Sequence, residues 1–444
     1  MAIVTEPAAD AGLRGQGIRQ GAREAVRITG IAAGGAGVGH LSDGRVVFVH
    51  RTAPGDLAEV AVTTAKSRWA RARLLRVLEA GPGRRPAPCP HYDYCGGCTL
   101  EHLAYNAQLE AKARFVLDAL QRIGHTSADA PYVVASPREL QYRNRVSFTL
   151  LRFGNGRVVA GFHELERPDR IADIDHRCLL PEPAVARAWR ALRAGWGENA
   201  SRLPSGEQLR LTLRASLTGE VSLLVEGGFG PGKPAELLER VPQLAAIWRR
   251  RSGEPPERLA GEESTIENWG GENLRLGGAM FLQVNRETAS LLDAWVLERA
   301  GDVRGQRVID AYSGIGLHGL RLARQGARVT CIEADPLAVE EGRRLAGETV
   351  EFVLGRAEEA IDARLPADLV VLNPPRTGLD AKVCAAIAAS PPRRLLYVSC
   401  DPATLARDLG RLGAGFEIRS LRSFDMFPQT AHVETVAELA CVTP

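Results

Sequence analysis

The chain has 444 residues, 45% of them hydrophobic and 25% charged, with 56 Lys and Arg against 53 Asp and Glu for a net charge of +3. That length suits about three domains, and the apolar share suffices for full cores, which excludes a disordered or fibrous chain. Charge so nearly balanced does not by itself indicate nucleic acid, and no apolar run approaches the length of a membrane span.

Residues 1–23 mix Glu6, Asp10, Arg14 and Arg19 among Ala and Gly, without the continuous apolar stretch of a secretory signal. They are expected to form a loose tail on a cytoplasmic protein. Over residues 24–82, short alternating runs such as Val46-Val47-Phe48-Val49 are separated by Gly34-Gly35, Asp43-Gly44 and Pro54-Gly55. This predicts a small β-barrel of the oligonucleotide-binding type. Lys66, Arg68, Arg71, Arg73, Arg76, Arg84 and Arg85 face only Glu79, with Trp69 among them. Such a stripe suits a phosphate backbone and a stacked base, or else is a solvated charged face.

Residues 83–270 predict an α+β central domain, in which a helical pattern over residues 101–124 packs on the catalytic domain that follows. Cys89, Cys95 and Cys98 fall in a C-x5-C-G-G-C pattern, and Cys178 is the natural fourth ligand. Eight cysteines in a cytoplasmic chain speak for metal or catalysis rather than disulfides. One tight group plus one distant Cys suits a [4Fe-4S] cube, with structural zinc the alternative.

From residue 271 to 444 strands alternate with helices, the pattern of a doubly wound sheet. Val308 to Gly316 reads as a nucleotide-binding strand and turn, and Val329 to Glu333 as a second strand ending in an acid suited to ribose hydroxyls. Gly314, Gly316 and Gly319 together leave NAD open, but Asp310 within the strand and the Asn373-Pro374-Pro375-Arg376 turn fit S-adenosylmethionine better. Cys400 ends the apolar run Leu395 to Ser399 and precedes Asp401-Pro402, so its thiol is expected at a strand's carboxyl end, facing the cofactor. A nucleophilic thiol there suggests covalent catalysis. His432 and Glu434 follow in an irregular stretch; alone, they read as a packed histidine and a surface carboxylate.

Phe281-Leu-Gln283-Val-Asn285, Asp310 to Gly316, Asn373 to Gly378, Ser399-Cys400-Asp401-Pro402, His432-Val-Glu434 and the four cluster cysteines in order jointly resemble the RNA uridine C5-methyltransferases. The likeness is to the 23S ribosomal RNA branch with a TRAM barrel and an iron-sulfur cluster. It implies a Rossmann-like class I S-adenosylmethionine-dependent methyltransferase domain behind an N-terminal TRAM barrel and a central iron-sulfur domain. It further implies that Cys400 is the nucleophile, Glu434 the base that removes the C5 proton, and Gln283, Tyr312, Glu333 and Asn373 the lining of the cofactor and uracil pocket. The implied partner is RNA, 23S rRNA first, met by a monomer with no membrane association. Two positions depart from the family: Asn373 stands where Asp is usual, and Leu317 where Asn is frequent. Competing readings are a tRNA uridine C5-methyltransferase, an amino-group methyltransferase, which needs neither Cys400 nor Glu434, and a non-catalytic RNA-binding iron-sulfur assembly factor.

Overall fold

The computed structural model describes residues 19–126, 128–278 and 280–442, so most of the expected tail lies outside the described residues. Strands Arg23–Ile31, Gly37–His40, Val46–Val49, Leu57–Ala65 and Trp69–Glu79 close into a barrel, the last lying between the third and fourth. Period-two alternation turns Val26, Ile28, Val47, Val49, Val60 and Val62 inward and leaves Arg71 and Arg73 outside.

The central unit is a seven-stranded sheet. Helix Pro183–Gly195 covers one face of it, stacking Trp189 on Phe148 with ring centroids 4.2 Å apart. This is burial of an amphipathic helix on an alternating strand, and aromatic contact adds to the area removed from water.

The catalytic sheet has eight strands in the order Val350–Leu354, Arg328–Glu333, Arg307–Ala311, Leu369–Leu372, Arg394–Ser399, Glu434–Cys441, Phe416–Phe424, Tyr132–Val134. The first five are parallel, and Glu434–Cys441 runs antiparallel to both its neighbours. Both faces are covered, so these strands are near-continuously apolar, as Leu369-Val370-Val371-Leu372 illustrates. One face packs on helices Arg286–Ala300, Leu317–Arg324 and Pro336–Ala346. The other packs on Ala381–Ala389, Pro402–Leu412 and helix Tyr105–Arg122, which brings Val116, Ala119 and Leu120.

A division at residues 270/271 does not follow the chain's path. Strand Tyr132–Val134, from the segment assigned to the central domain, is the outer strand of the catalytic sheet. Residues 270 and 271 form the turn of hairpin Thr265–Trp269/Glu272–Leu276, whose Trp269, Leu274 and Leu276 pack with the catalytic core. Periodicity cannot reveal which sheet a three-residue strand will join, because that depends on partners remote in sequence.

Candidate active site and cysteine centre

Strand register places the predicted residues. Ala311 pairs with both Ile332 and Leu372, so Tyr312, Glu333 and Asn373 leave the sheet side by side at the strands' carboxyl ends. Ser399 pairs with Thr435 across antiparallel strands, so Cys400, just after one strand, lies opposite Glu434 at the start of the other. All five therefore meet at one edge of one sheet. Gln283 arrives differently, half-buried in the stretch before helix Arg286–Ala300, where the Asn144 side chain of the central sheet donates to its carbonyl at 3.0 Å.

The nucleotide end is built locally. Tyr312 has φ of 59°, and Gly314 and Gly316 have φ of 57° and 81°, giving the sharp strand-to-helix turn. A non-glycine in this region is strained and is retained where the surroundings fix it, commonly at sites. Gly316 and Gly319 are also needed for packing: an added Cβ would fall 2.8 Å from Phe352 at Gly316 and 2.5 Å from the Cys331 sulfur at Gly319. The third glycine of the G-x-G-x-x-G spacing thus brings helix and strand together and does not imply NAD. The Glu333 carboxylate accepts from the Gly314, Ala334 and Asp335 amides at 2.8 Å each, which fixes it at the strand end where a ribose would lie. Asp310 is fully enclosed and accepts from the Gly319 amide at 2.9 Å; burial pushes its carboxyl up to about 6.

The thiol end is held by the start of a helix. Asp401 caps Pro402–Leu412, accepting from the Ala403 and Thr404 amides at 2.9 Å, with Pro402 in the first turn where a missing N–H costs nothing. Buried Asp408 on the same helix accepts from Tyr397 Oη at 2.9 Å and the Leu379 amide at 2.7 Å, and so ties the Asn373–Gly378 loop to the Cys400 helix. Burial, then the neighbouring Glu434, pushes the Cys400 thiol up to about 11, while the Arg376 guanidinium pulls the other way. Burial raises Glu434 to about 7, again against Arg376. A carboxyl near neutrality beside a thiol is suited to moving a proton. Arg376 was legible as part of the Asn-Pro-Pro-Arg turn but was assigned no role; the electrostatic influence of its guanidinium on both groups comes from the tertiary fold.

The stretch from Phe424 to Glu434 is secured from outside its own sheet. Lys112 and Asp425 form an ion pair with both side chains fully buried. Tyr142 Oη donates to the Pro428 carbonyl at 3.0 Å. Gln429 bonds to Gln108, Arg85, Glu139, Thr99 and Leu100. Sequence reading gave none of these residues this role and placed Arg85 in the basic stripe; the one available signal was a lysine among the apolar positions of helix Tyr105–Arg122.

Cys89, Cys95, Cys98 and Cys178 line one cavity with His91, Tyr92, Phe162 and Ile174. Among the described residues, no group of three or more His, Cys, Asp or Glu is arranged to hold a metal ion. The Gly97 amide donates to Cys95 Sγ at 3.3 Å, whereas the Gly96 amide donates to the His163 carbonyl at 2.9 Å. Only one of the two glycine amides therefore turns toward sulfur. Both positions exclude a side chain: a Cβ would fall 2.7 Å from the His163 oxygen at Gly96 and 3.1 Å from Phe162 at Gly97. Burial raises Cys95 to about 11, Cys178 to about 12 and Cys98 well above its ordinary value.

The basic stripe divides. Arg84 pairs with fully buried Asp56, and Arg85 with Glu139 and Gln429, so these two are structural, whereas Arg76 pairs with Glu59 at the surface. Lys66, Arg68, Arg71 and Arg73 remain exposed on the barrel, with Arg71 5.5 Å from the Trp69 ring.

This fold, with a strand-turn-helix nucleotide end and a converging polar edge, defines an S-adenosylmethionine-dependent methyltransferase carrying an N-terminal barrel. Residues 19–75 match the TRAM domain model, and residues 355–440 match the tRNA (Uracil-5-)-methyltransferase model. An uncharacterized RNA methyltransferase of Gloeobacter violaceus is 37% identical, with 95% of this chain and 97% of that protein covered. Another, of Halalkalibacterium halodurans, is 34% identical over 93% of this chain and 96% of its own length. The tRNA (uracil-54, C5)-methyltransferase of Pyrococcus abyssi, solved with S-adenosyl-L-homocysteine, is 27% identical at a TM-score of 0.72, covering 94% of this chain and 100% of that one. The chain belongs to the RNA uracil-5-methyltransferase family, and is an S-adenosylmethionine-dependent enzyme acting on RNA.

Proposed function

We propose that this enzyme methylates C5 of a uridine in structured RNA, with 23S rRNA the preferred target, through a transient bond between Cys400 and uracil C6. The observation that carries the reading is the emergence of Cys400 and Glu434 from paired antiparallel strands at the edge shared with Tyr312, Glu333 and Asn373. Uracil C5 is a weak nucleophile. Addition of the thiolate to C6 makes C5 electron-rich, so that it takes a methyl group. S-adenosylmethionine supplies that methyl when bound, with Glu333 on its ribose and Gln283, Tyr312 and Asn373 lining the pocket. Glu434 then removes H5, the C5–C6 double bond re-forms and Cys400 leaves. Arg376 lowers the thiol toward ionisation, which a buried cysteine beside a carboxylate otherwise resists. The target base must first be drawn out of its stack, since C5 and C6 are inaccessible within it.

Cys89, Cys95, Cys98 and Cys178 would hold a [4Fe-4S] cluster. Four thiols lining one largely apolar cavity, with an amide directed at one sulfur, are the donor set that supports this reading. When bound, the cluster would hold the loop in place; methyl transfer requires no electron. Protein purified without oxygen should be brown with about four irons, and substitution of any of the four cysteines should bleach it. Colourless protein with stoichiometric zinc would reverse the assignment.

The enzyme is read as a cytoplasmic monomer organised as a barrel over residues 24–82, a central unit over 83–270 and a catalytic unit over 271–444, with the strand exchange described above. A transfer RNA target is the second reading, favoured by the Pyrococcus abyssi neighbour's substrate. Mass mapping of both RNAs from cells with and without this protein decides between them. Cys400→Ala should abolish the modification while S-adenosylmethionine still binds, and Glu434→Gln should trap a protein-RNA adduct on a denaturing gel. Turnover by Cys400→Ala would rule out covalent catalysis.

A further inference from the structure

Glu434 is buried, and no hydrogen bond from the described residues is made to its carboxylate. Its direction is therefore set by the backbone that delivers it. That backbone arrives through Gln429, which is fully buried and has φ of 70°. Its amide N–H donates to Gln108 Oε1 at 3.0 Å, and its side-chain oxygen accepts from Gln108 Nε2 at 2.9 Å and Arg85 at 3.0 Å. Its Nε2 donates to the Glu139 carbonyl at 3.1 Å. Its own carbonyl accepts from the Thr99 and Leu100 amides at 3.0 and 2.9 Å, directly after Cys98, and the Ala431 amide donates to Thr99 Oγ1 at 3.1 Å. A left-handed non-glycine persists only where its surroundings over-determine it, and these bonds do so.

The same cysteine loop is fixed to the other two units. Gly96 bonds to His163 of the central sheet, and Arg51, beyond the barrel's third strand, donates to the Cys95 carbonyl at 3.1 Å and lies 4.0 Å from the Tyr92 ring centroid. The loop is thus the junction of barrel, central sheet and the segment that carries the carboxylate.

We propose that Gln429 is a positioning residue for Glu434, tying the segment 425–433 to the cysteine loop so that order in that loop sets proton removal without affecting cofactor binding. This rests on the reading of Glu434 as the base. It assigns the cysteine-bound group a role in the second half of the reaction, after the thiol has added and the methyl has moved. With Glu434 as the base, a carboxylate misplaced by a fraction of an ångström slows proton removal and leaves the adduct in place.

The test uses the full-length, metal-loaded protein with Gln429→Ala, and with Gln429→Glu as the conservative variant that keeps both acceptor bonds and loses the donor to Glu139. Expected for Gln429→Ala are a turnover lower by roughly 10- to 100-fold, unchanged S-adenosylmethionine affinity, and an adduct band like that of Glu434→Gln; Gln429→Glu should fall between it and the parent. Hydrogen exchange gives a readout independent of turnover. Chelating the metal from the parent should speed exchange across residues 425–433, and in Gln429→Ala that exchange should already be fast and rise no further. Parent-like turnover without adduct in both variants, or chelation that loosens the cysteine loop while 425–433 stays protected, overturns the proposal. If Gln429→Ala does not fold, Gln429→Glu carries the same comparison. Should Glu434→Gln itself trap nothing, the base assignment fails, and the exchange measurements still decide whether the two segments are coupled.

Discussion

The two ends of the catalytic sheet are held by different means. At the nucleotide end, Glu333 takes its three amides from Gly314, Ala334 and Asp335, and the turn of Tyr312 to Gly316 is fixed by its own backbone geometry and by Phe352 and Cys331 close behind. At the other end, the stretch delivering Glu434 is fastened to Thr99, Gln108, Lys112 and Glu139, far earlier in the chain, with the sequence separation of the Gln108 and Lys112 bonds being 321 and 313. With Glu333 on the cofactor and Glu434 as the base, as proposed above, cofactor binding should survive damage to the rest of the molecule, whereas proton removal should need all three units to stay together.

The largest expected effect that could break this contrast concerns the Lys112–Asp425 pair. Lys112→Met strands a buried carboxylate and should destabilise the protein by about 3–5 kcal/mol, while Lys112→Met with Asp425→Leu should recover most of that. Chemical denaturation of the two variants checks it; equal losses would mean that packing, not charge, holds the segment.

Glu434 gives the next effect, with a sign fixed by its environment. Its carboxyl titrates at about 7 in the folded protein against an ordinary 4.5, so the folded state holds the proton more tightly. Its favourable contribution is full below the lower value and is lost as pH rises through the higher one. Glu434→Gln should therefore equal the parent near pH 4 and exceed it in stability by about 3 kcal/mol above pH 8. The same variant removes one of the influences raising Cys400, so alkylation of that thiol by iodoacetamide should quicken; unchanged alkylation would separate the two groups. Proton removal in the parent should strengthen as pH passes about 7.

Glu333→Ala sharpens the other side of the comparison. Loss of a charged hydrogen-bond partner should weaken S-adenosylmethionine binding by about 1.5–3 kcal/mol, with hydrogen exchange in 425–433 unaltered. Calorimetry and exchange on one sample test both halves. The smallest effect lies on the barrel, where Arg71→Ala with Arg73→Ala should reduce the salt dependence of RNA binding by about one unit for each phosphate no longer neutralised. Arg84→Ala should instead unsettle the barrel, because its partner Asp56 is fully buried.

Local sequence determined much of this protein. Alternating short runs specified the barrel, apolar runs followed by Asp-Ala-Tyr-Ser-Gly or Ser-Cys-Asp-Pro marked strand ends, and the Asp401 cap with Pro402 started the helix behind the thiol. Those features are legible because turn, cap and strand propensities act over a few residues. Which of these pieces share an edge, and what holds them there, depended on contacts remote in sequence. Tyr132–Val134 joins a sheet built mostly from residues beyond 300, Arg84 and Arg85 leave the basic stripe to become structural, and Arg376 comes within electrostatic reach of both Cys400 and Glu434. Gln429 looks like an ordinary polar residue in an irregular stretch. It becomes the fastening of the carboxylate because a buried amide must find partners for every donor and acceptor, and those partners lie on segments that only folding brings near.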